Sequence, residues 1–214
     1  MAAESDYVRT DEDALGAAVG RSVLACARAC ATHAGHDDLA GLRVAIQGCG
    51  AIGRAVAAEL GRAGCTLLVA DIDAAAVGRV AAQTGAEIGD PKTIVAADVD
   101  IIAPCAMGGV LTSAAVETLQ AWAVCGAANN ILAEPSVGER LIDAGIAFVP
   151  DILASAGAVI AGVCAVRGRD DAENLIAALG TTTPAVVQES SQRRIPTDTI
   201  AREHATARRA NLIS

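Results

Sequence analysis

Polar and apolar positions in this chain follow one repeating order. A short unbroken apolar run comes first, then a turn of small residues, then a stretch with helical period. Apolar runs at 42–47, 66–70, 99–103, 122–127 and 146–149 predict strands. Most have no polar alternation, which is the pattern of parallel strands covered on both faces. Between them, apolar residues three and four apart predict helices at about 52–63, 74–84, 91–97, 112–119 and 135–144. Pro91 and Pro135 stand where a first helical position tolerates the missing N–H. Thr10-Asp-Glu-Asp13 has the form of a capping box that opens a helix to about Ala31. Its apolar stripe is Leu15, Val19, Val23, Cys26 and Cys30. His36-Asp-Asp38 is a polar loop, and a long helix is expected from Asp151 to about Arg167. Further helices are expected near 171–179, 184–193 and 197–209. The alternation predicts an α/β chain with a doubly wound, mostly parallel sheet and additional N- and C-terminal helices. Residues 1–9 are expected to be a flexible N-terminus and residues 10–214 one domain that includes the C-terminal helical segment.

One junction carries chemistry. Leu42-Arg-Val-Ala-Ile-Gln-Gly-Cys-Gly-Ala-Ile-Gly53 reads as strand, glycine turn and helix, and Leu67-Leu-Val-Ala-Asp71 as a second strand ending in an acid. Gly48, Gly50 and Gly53 fill the three glycine positions of a Rossmann-like dinucleotide fingerprint. Small residues there let the backbone turn sharply and approach a pyrophosphate. A helix beginning near Ile52, just after Ala51, would aim its unpaired amides and positive dipole end at the phosphates. Asp71 follows about 20 residues on, where a carboxylate bonds ribose hydroxyls. Ile72 and Asp73 come next, with no Arg or Lys beside them to receive a 2′-phosphate, and Asp73 would repel one. The expected cofactor is therefore NAD rather than NADP. Asp73 is equally well placed to cap the next helix.

Composition narrows the classes. Of the 214 residues, 53% are hydrophobic, enough for a sizeable core, and the net charge is −9. With no basic patch and only Tyr7, Trp122 and Phe148 as aromatics, nucleic acid is not an expected partner. The acidic start lacks the regions of a signal peptide. The apolar run 152–166 is interrupted by Ser155 and short for a bilayer. A cytoplasmic location without membrane contact is expected. Seven cysteines without C-x-x-C spacing fit reduced thiols and predict no metal site. Cys26, Cys30 and His33 share a helical face, and the cysteines are read as small apolar filling.

Beyond the fingerprint, the chain resembles the NAD-binding domain of the glutamate/leucine/phenylalanine/valine dehydrogenase family, its leucine and phenylalanine branch above all. The motifs run in order: Gly48 to Gly53, Val69-Ala-Asp71, Ala103-Pro-Cys-Ala106, Gly126-Ala-Ala-Asn-Asn130, Val149-Pro-Asp151 and Ser155-Ala-Gly157. Ile195-Pro-Thr-Asp-Thr-Ile-Ala201 resembles the family's C-terminal segment. The resemblance implies that Cys105, Ala106, Asn129 and Asn130 lie near the nicotinamide half of NAD. Two departures accompany it. The family's N-terminal substrate domain supplies catalytic lysines, whereas this chain holds a single lysine, Lys92. The family's Asn-Ala-Gly-Gly reads Ser155-Ala-Gly-Ala158. Serine is shorter and offers one donor where asparagine offers two.

Without a lysine pair, water activation for oxidative deamination is not expected from this chain. Hydride transfer to an imine or carbonyl needs less, with Ser155, Asp151 or a bound water as proton donor. The expected function is an NAD-dependent oxidoreductase of reduced size acting on an imine-type or amino-acid-derived small molecule. Two alternatives stand beside it: a non-catalytic or subunit-type NAD-binding protein that needs a partner, and an enzyme using NAD outside dehydrogenation, as substrate. A homodimer is expected, covering the stripe Leu15, Val19 and Val23 and the tail residues Ile195, Ile200, Leu212 and Ile213.

Overall fold

The computed structural model describes residues 12–213. The expected capping box at Thr10 and the N-terminal segment 1–9 lie outside them. Helix α1 (Glu12–His33) leads into β1 (Arg43–Gln47), α2 (Ala51–Arg62), β2 (Thr66–Ala70), α3 (Ala74–Thr84) and β3 (Glu87–Ile88). A second series follows: β4 (Ile101–Pro104), α4 (Ser113–Thr118), β5 (Ala123–Val124), α5 (Ser136–Asp143) and β6 (Ala147–Phe148). Five helices close the chain: α6 (Asp151–Ala154), α7 (Ala156–Val166), α8 (Ala172–Ala177), α9 (Leu179–Arg193) and α10 (Thr197–Ile213).

The sheet has six parallel strands in the order β3-β2-β1-β4-β5-β6. The order reverses between β1 and β4, so the carboxyl ends of these strands open onto a crevice. Val44, Ala45 and Ile46 of β1 are all buried, which explains the unbroken apolar run: both faces are covered by helices.

Four elements differ from the sequence expectation. Strand β3 was not expected; it is two exposed residues on the sheet edge, too short to print a pattern. The helix expected over 91–97 is a 3₁₀ turn, Ile94–Ala96. Before it, the Asp90 carboxylate accepts from Lys92 N at 2.9 Å, a local bond that competes with helix propagation. The long helix expected from Asp151 breaks at Ser155 into α6 and α7. Helix α9 starts at Leu179, five residues earlier than expected, and carries Pro184 inside it.

The largest correction concerns α1. Val19, Val23, Cys26 and Cys30 are buried in the main core cluster, and Leu15 is half-buried. The stripe expected to seek a second copy is covered by the chain's own α2, α7 and α9. Ile200 is likewise buried and Ile195 half-buried, so the tail folds back onto its own chain. The Leu212 and Ile213 side chains lie outside the described set. Helix α1 is long and apolar enough to cross a membrane, and 61% of its apolar window is buried inside the protein.

Helix approach around α1 is set by glycine. A Cβ on Gly157 would stand 2.0 Å from the Ala18 carbonyl oxygen, and one on Gly20 2.9 Å from that of Ala55. Where α6 meets α7, the buried Ser22 hydroxyl lies 2.6 Å from the Ala154 carbonyl oxygen and takes up the acceptor that the break exposes.

Candidate cofactor-binding site

The glycine turn lies at the carboxyl end of β1, and each glycine has its own cause. Gly48 adopts φ +103°, and a Cβ there would lie 2.8 Å from Ala106 N. A Cβ on Gly53 would stand 1.9 Å from the Gly48 carbonyl oxygen, so helix and turn can meet only without one. Gly50 meets nothing: the space where its Cβ would point is open. It precedes α2 in extended conformation with no side-chain cap, and no acidic residue occupies the first turn of α2. An open cradle before uncapped amides at a helix N-terminus suits a diphosphate. Ala51 is exposed, Ile52 half-buried, and Gly53 buried under them.

Asp71, at the end of β2, is tied to this turn. One carboxylate oxygen accepts from Cys49 N at 2.6 Å and the other from Asp73 N at 3.0 Å. These amide donors, Asp73 first and Cys49 second, hold its carboxyl below the ordinary carboxylate range. The acid is thus fixed against the turn as an anion with lone pairs left for ligand hydroxyls. Ile72 beside it is 94% exposed, a large apolar side chain without a protein neighbour to cover it. Asp73 caps α3, accepting from Ala75 N at 2.9 Å, as its position suggested.

Cys105 and Ala106 follow β4 and close on the same turn. Cys105 N donates to the Gln47 carbonyl at 2.7 Å. Burial pushes the Cys105 thiol up to about 12, which favours the neutral thiol near neutral pH. Burial raises the Cys49 thiol to about 11, with Asp71 adding to the shift. The two asparagines differ from each other. Asn130 is left-handed, φ +51°, a backbone role that asparagine tolerates, and Asn129 is exposed beside it. Gly109 N donates to the Asn130 carbonyl at 2.7 Å, which joins the loops after β4 and β5.

Asp151 joins the third loop to these. Its Oδ2 accepts from Asn130 N at 2.8 Å and its Oδ1 from Ile152 N at 2.8 Å. The Ser155 hydroxyl donates to the Asp151 carbonyl at 2.7 Å. Asp151 therefore braces the Asn130 turn and opens α6, and Ser155 closes the short turn that follows. The Gly157 of that motif serves the α1 contact. The segments that follow β1, β2, β4, β5 and β6 carry the cofactor-binding and catalytic candidates singled out by sequence.

Two neighbouring features were not legible in sequence. A groove of about 260 Å³ beside the glycine turn is lined by Gly50, Ala51, Arg54, Asp73 and Arg79, among others. A cavity of about 290 Å³ lies beyond Asn130 and Asp151, where α10 brings Asp198, Thr199 and Arg202. Helical spacing places Arg54 on the first turn of α2. That was the available signal for the first groove; nothing local announces α10 at the second. No cluster of three metal-ligating side chains occurs among the described residues.

The class that fold and site define is a doubly wound dinucleotide-type domain. Comparison with known proteins narrows it. Residues 69–169 match the sequence model of the glutamate/leucine/phenylalanine/valine dehydrogenase family. The chain is 35% identical over 167 residues to the leucine dehydrogenase of Bacillus subtilis, covering 73% of this chain and 45% of that protein. It is 35% identical over 147 residues to the valine dehydrogenase of Streptomyces virginiae, covering 67% of this chain and 41% of that one. The crystal structure of L-tryptophan dehydrogenase from Nostoc punctiforme superposes with a TM-score of 0.86 at 30% identity, over 92% of this chain and 61% of that one. The chain resembles the nucleotide-binding domain of this family. It spans about a third to a half of the length of the curated relatives it matches.

Proposed function

We propose that this chain binds NAD at the β1–α2 turn and serves an oxidoreductase acting on an amino acid or an amino-acid-derived imine. The observation that carries it is the turn itself. Gly48 and Gly53 are required by protein contacts alone, whereas Gly50 faces open space and Asp71 is held beside it as an anion. A turn serving packing only would have no use for an open third glycine and a fixed acid. Names of the relatives, leucine, valine and tryptophan dehydrogenases, support the amino-acid class.

In this reading Gly50, Ala51, Ile52 and Gly53 receive the diphosphate, and Asp71 accepts from the ribose hydroxyls with Ile72 packing on the adenosine side. Cys105, Ala106, Asn129 and Asn130 border the nicotinamide half. The cofactor supplies hydride acceptance or donation when bound. Asp151 positions the Asn130 turn, and Ser155 is the nearest candidate hydroxyl for a proton at the reacting centre. The single lysine of the chain, Lys92, lies in the turn that precedes the 3₁₀ segment Ile94–Ala96. A second polypeptide segment carrying the substrate groups is thus the favoured completion, whether borne by a partner or by further chain. Titration calorimetry with NAD on the purified chain tests the reading. Micromolar binding is expected, and the absence of any heat or competition by adenine nucleotides refutes it.

A small-molecule substrate, a homodimer and a cytoplasmic location complete the proposal. The α1 stripe is covered by the chain's own core, so the proposed dimer surface lies elsewhere. It is the outer face of α7, where Val159, Val163 and Val166 are exposed on a helix without a charged residue. An uncharged apolar face meets its own copy without electrostatic conflict, and two-fold pairing is the commonest closed arrangement.

A further inference from the structure

The cavity of about 290 Å³ beyond Asn130 and Asp151 carries two charges that the NAD reading does not use. Asp198, half-buried, and Arg202, exposed, line it from α10. An acid four residues before a base is the helical spacing at which the two pair. Here, among the described residues, neither side chain has an ion-pair or hydrogen-bond partner. The opposite wall comes from the loops after β5 and β6: Leu132 and Glu134, with buried Ile131, Phe148 and Pro150.

The remaining charges at the cavity differ in how far they are engaged. Both Asp151 oxygens accept backbone amides, from Asn130 N and Ile152 N. One Glu134 oxygen accepts the Ser113 hydroxyl at 3.0 Å, which leaves the other open to a ligand. Over the whole lining, the carboxylates of Glu134, Asp151 and Asp198 face one guanidinium, that of Arg202. Such an excess of acid repels phosphates and simple carboxylates and favours a cation. A cation alone, however, would meet Arg202 as a like charge. The ligand that satisfies both sides has two cationic groups and one carboxylate, joined by a short apolar stem. Each charged end then makes a charge-assisted bond. A volume just below the roughly 300–1,000 Å³ of small-molecule sites admits one such metabolite and no dinucleotide.

We propose that this cavity binds a free basic α-amino acid of the lysine type. Arg202 holds the α-carboxylate, Asp198 the α-ammonium group and Glu134 the side-chain cation, while Leu132 borders the stem. The site goes beyond the NAD reading and does not rest on it: neither the glycines of the β1–α2 turn nor Asp71 lines the cavity. Only the return of α10 over the loops after β5 and β6 assembles it.

Titration calorimetry on the full chain without NAD tests this with three probes. They are L-lysine, L-leucine, which lacks the side-chain cation, and cadaverine, which lacks the carboxylate. L-lysine should bind about tenfold more tightly than either, the scale of one charge-assisted hydrogen bond. The advantage should shrink with added salt. Arg202→Gln should weaken L-lysine about tenfold and leave cadaverine unweakened, because it removes a like charge. Glu134→Gln should abolish the preference for L-lysine over L-leucine. Both residues are exposed, so both variants keep the fold. The proposal is overturned if the parent does not prefer L-lysine to L-leucine, or if Arg202→Gln weakens cadaverine as much as L-lysine. Binding of L-lysine that survives both substitutions unchanged lies elsewhere on the protein and overturns it equally.

Discussion

At the scale of single residues, Asp71 carries the sharpest expectation. It accepts from Cys49 N and Asp73 N, and a bound ribose would add hydroxyl donors to the same group. Asp71→Ala should weaken NAD binding by about 1–3 kcal/mol, the range for a lost charged hydrogen bond. Calorimetry with equal affinities for parent and variant would remove Asp71 from the site. The same acid has a pH signature. Its carboxyl is lowered in the folded protein, so its contribution to stability is present above the unfolded value near pH 4. That contribution is lost as pH falls from there through the lowered folded value. Chemical denaturation across that window should show parent and Asp71→Asn converging at the acid end. Ser155 is the residue where structure and resemblance pull apart. Its hydroxyl is already engaged with the Asp151 carbonyl. If it also reaches the reacting centre, Ser155→Ala lowers turnover on the true substrate while NAD affinity stays within about 0.5 kcal/mol. Unchanged turnover with a lowered melting temperature would leave it as a helix-junction residue.

At the scale of elements, the packing of α1 against α7 tests how the site is held. Gly157 faces the Ala18 backbone, which cannot move aside as a side chain would. Gly157→Ala should destabilise by about 1–3 kcal/mol or more through overpacking. Gly78, exposed within α3, has nothing within 4 Å of a built Cβ. Gly78→Ala should therefore stabilise by up to about 1 kcal/mol through helix propensity. Thermal melts that moved the two variants in the same direction would contradict this account. The element expectations succeeded and failed for identifiable causes. Strands β1 and β2, helix α3 and the turn between β1 and α2 were legible because apolar runs, glycines and the Asp73 cap are local signals. The break at Ser155 was not legible, because the group that takes up the Ala154 carbonyl is Ser22, 132 positions from Ala154 along the chain. Helix α9 passes through Pro184, where buried Thr183 packs on Cys26 and donates to its sulfur at 3.2 Å. Tertiary contact outweighed the proline there.

At the scale of the whole molecule, two expectations concern what the chain does alone. The purified chain should give little or no reduction of NAD with leucine, phenylalanine, valine or glutamate, because its crevice has no lysine to activate water. A missing general acid or base costs about 10²–10⁴-fold. Steady NADH formation from any of these would show that another group substitutes. The chain should also pair through α7. Light scattering should give a dimer mass for the parent and a monomer mass for Val163→Glu. A monomeric parent at micromolar concentration would refute that surface.

Local sequence was enough to determine the alternating architecture, the glycine turn and the acid that faces it. Each of those depends on residues within a few turns of one another and on backbone sterics that any fold must obey. The motifs at the ends of β4, β5 and β6 were legible through the resemblance to the dehydrogenase family and not through local sterics. Which surfaces are covered was decided only by tertiary structure. Val19, Val23 and Ile200 carry the same apolar signal whether they meet a second copy or their own core, and chain packing chose the core. Tertiary structure also decided the charge of the groove at Gly50. Arg54 and Arg79 come from separate helices whose spacing in the chain says nothing of their meeting, and long-range packing placed both beside Asp73.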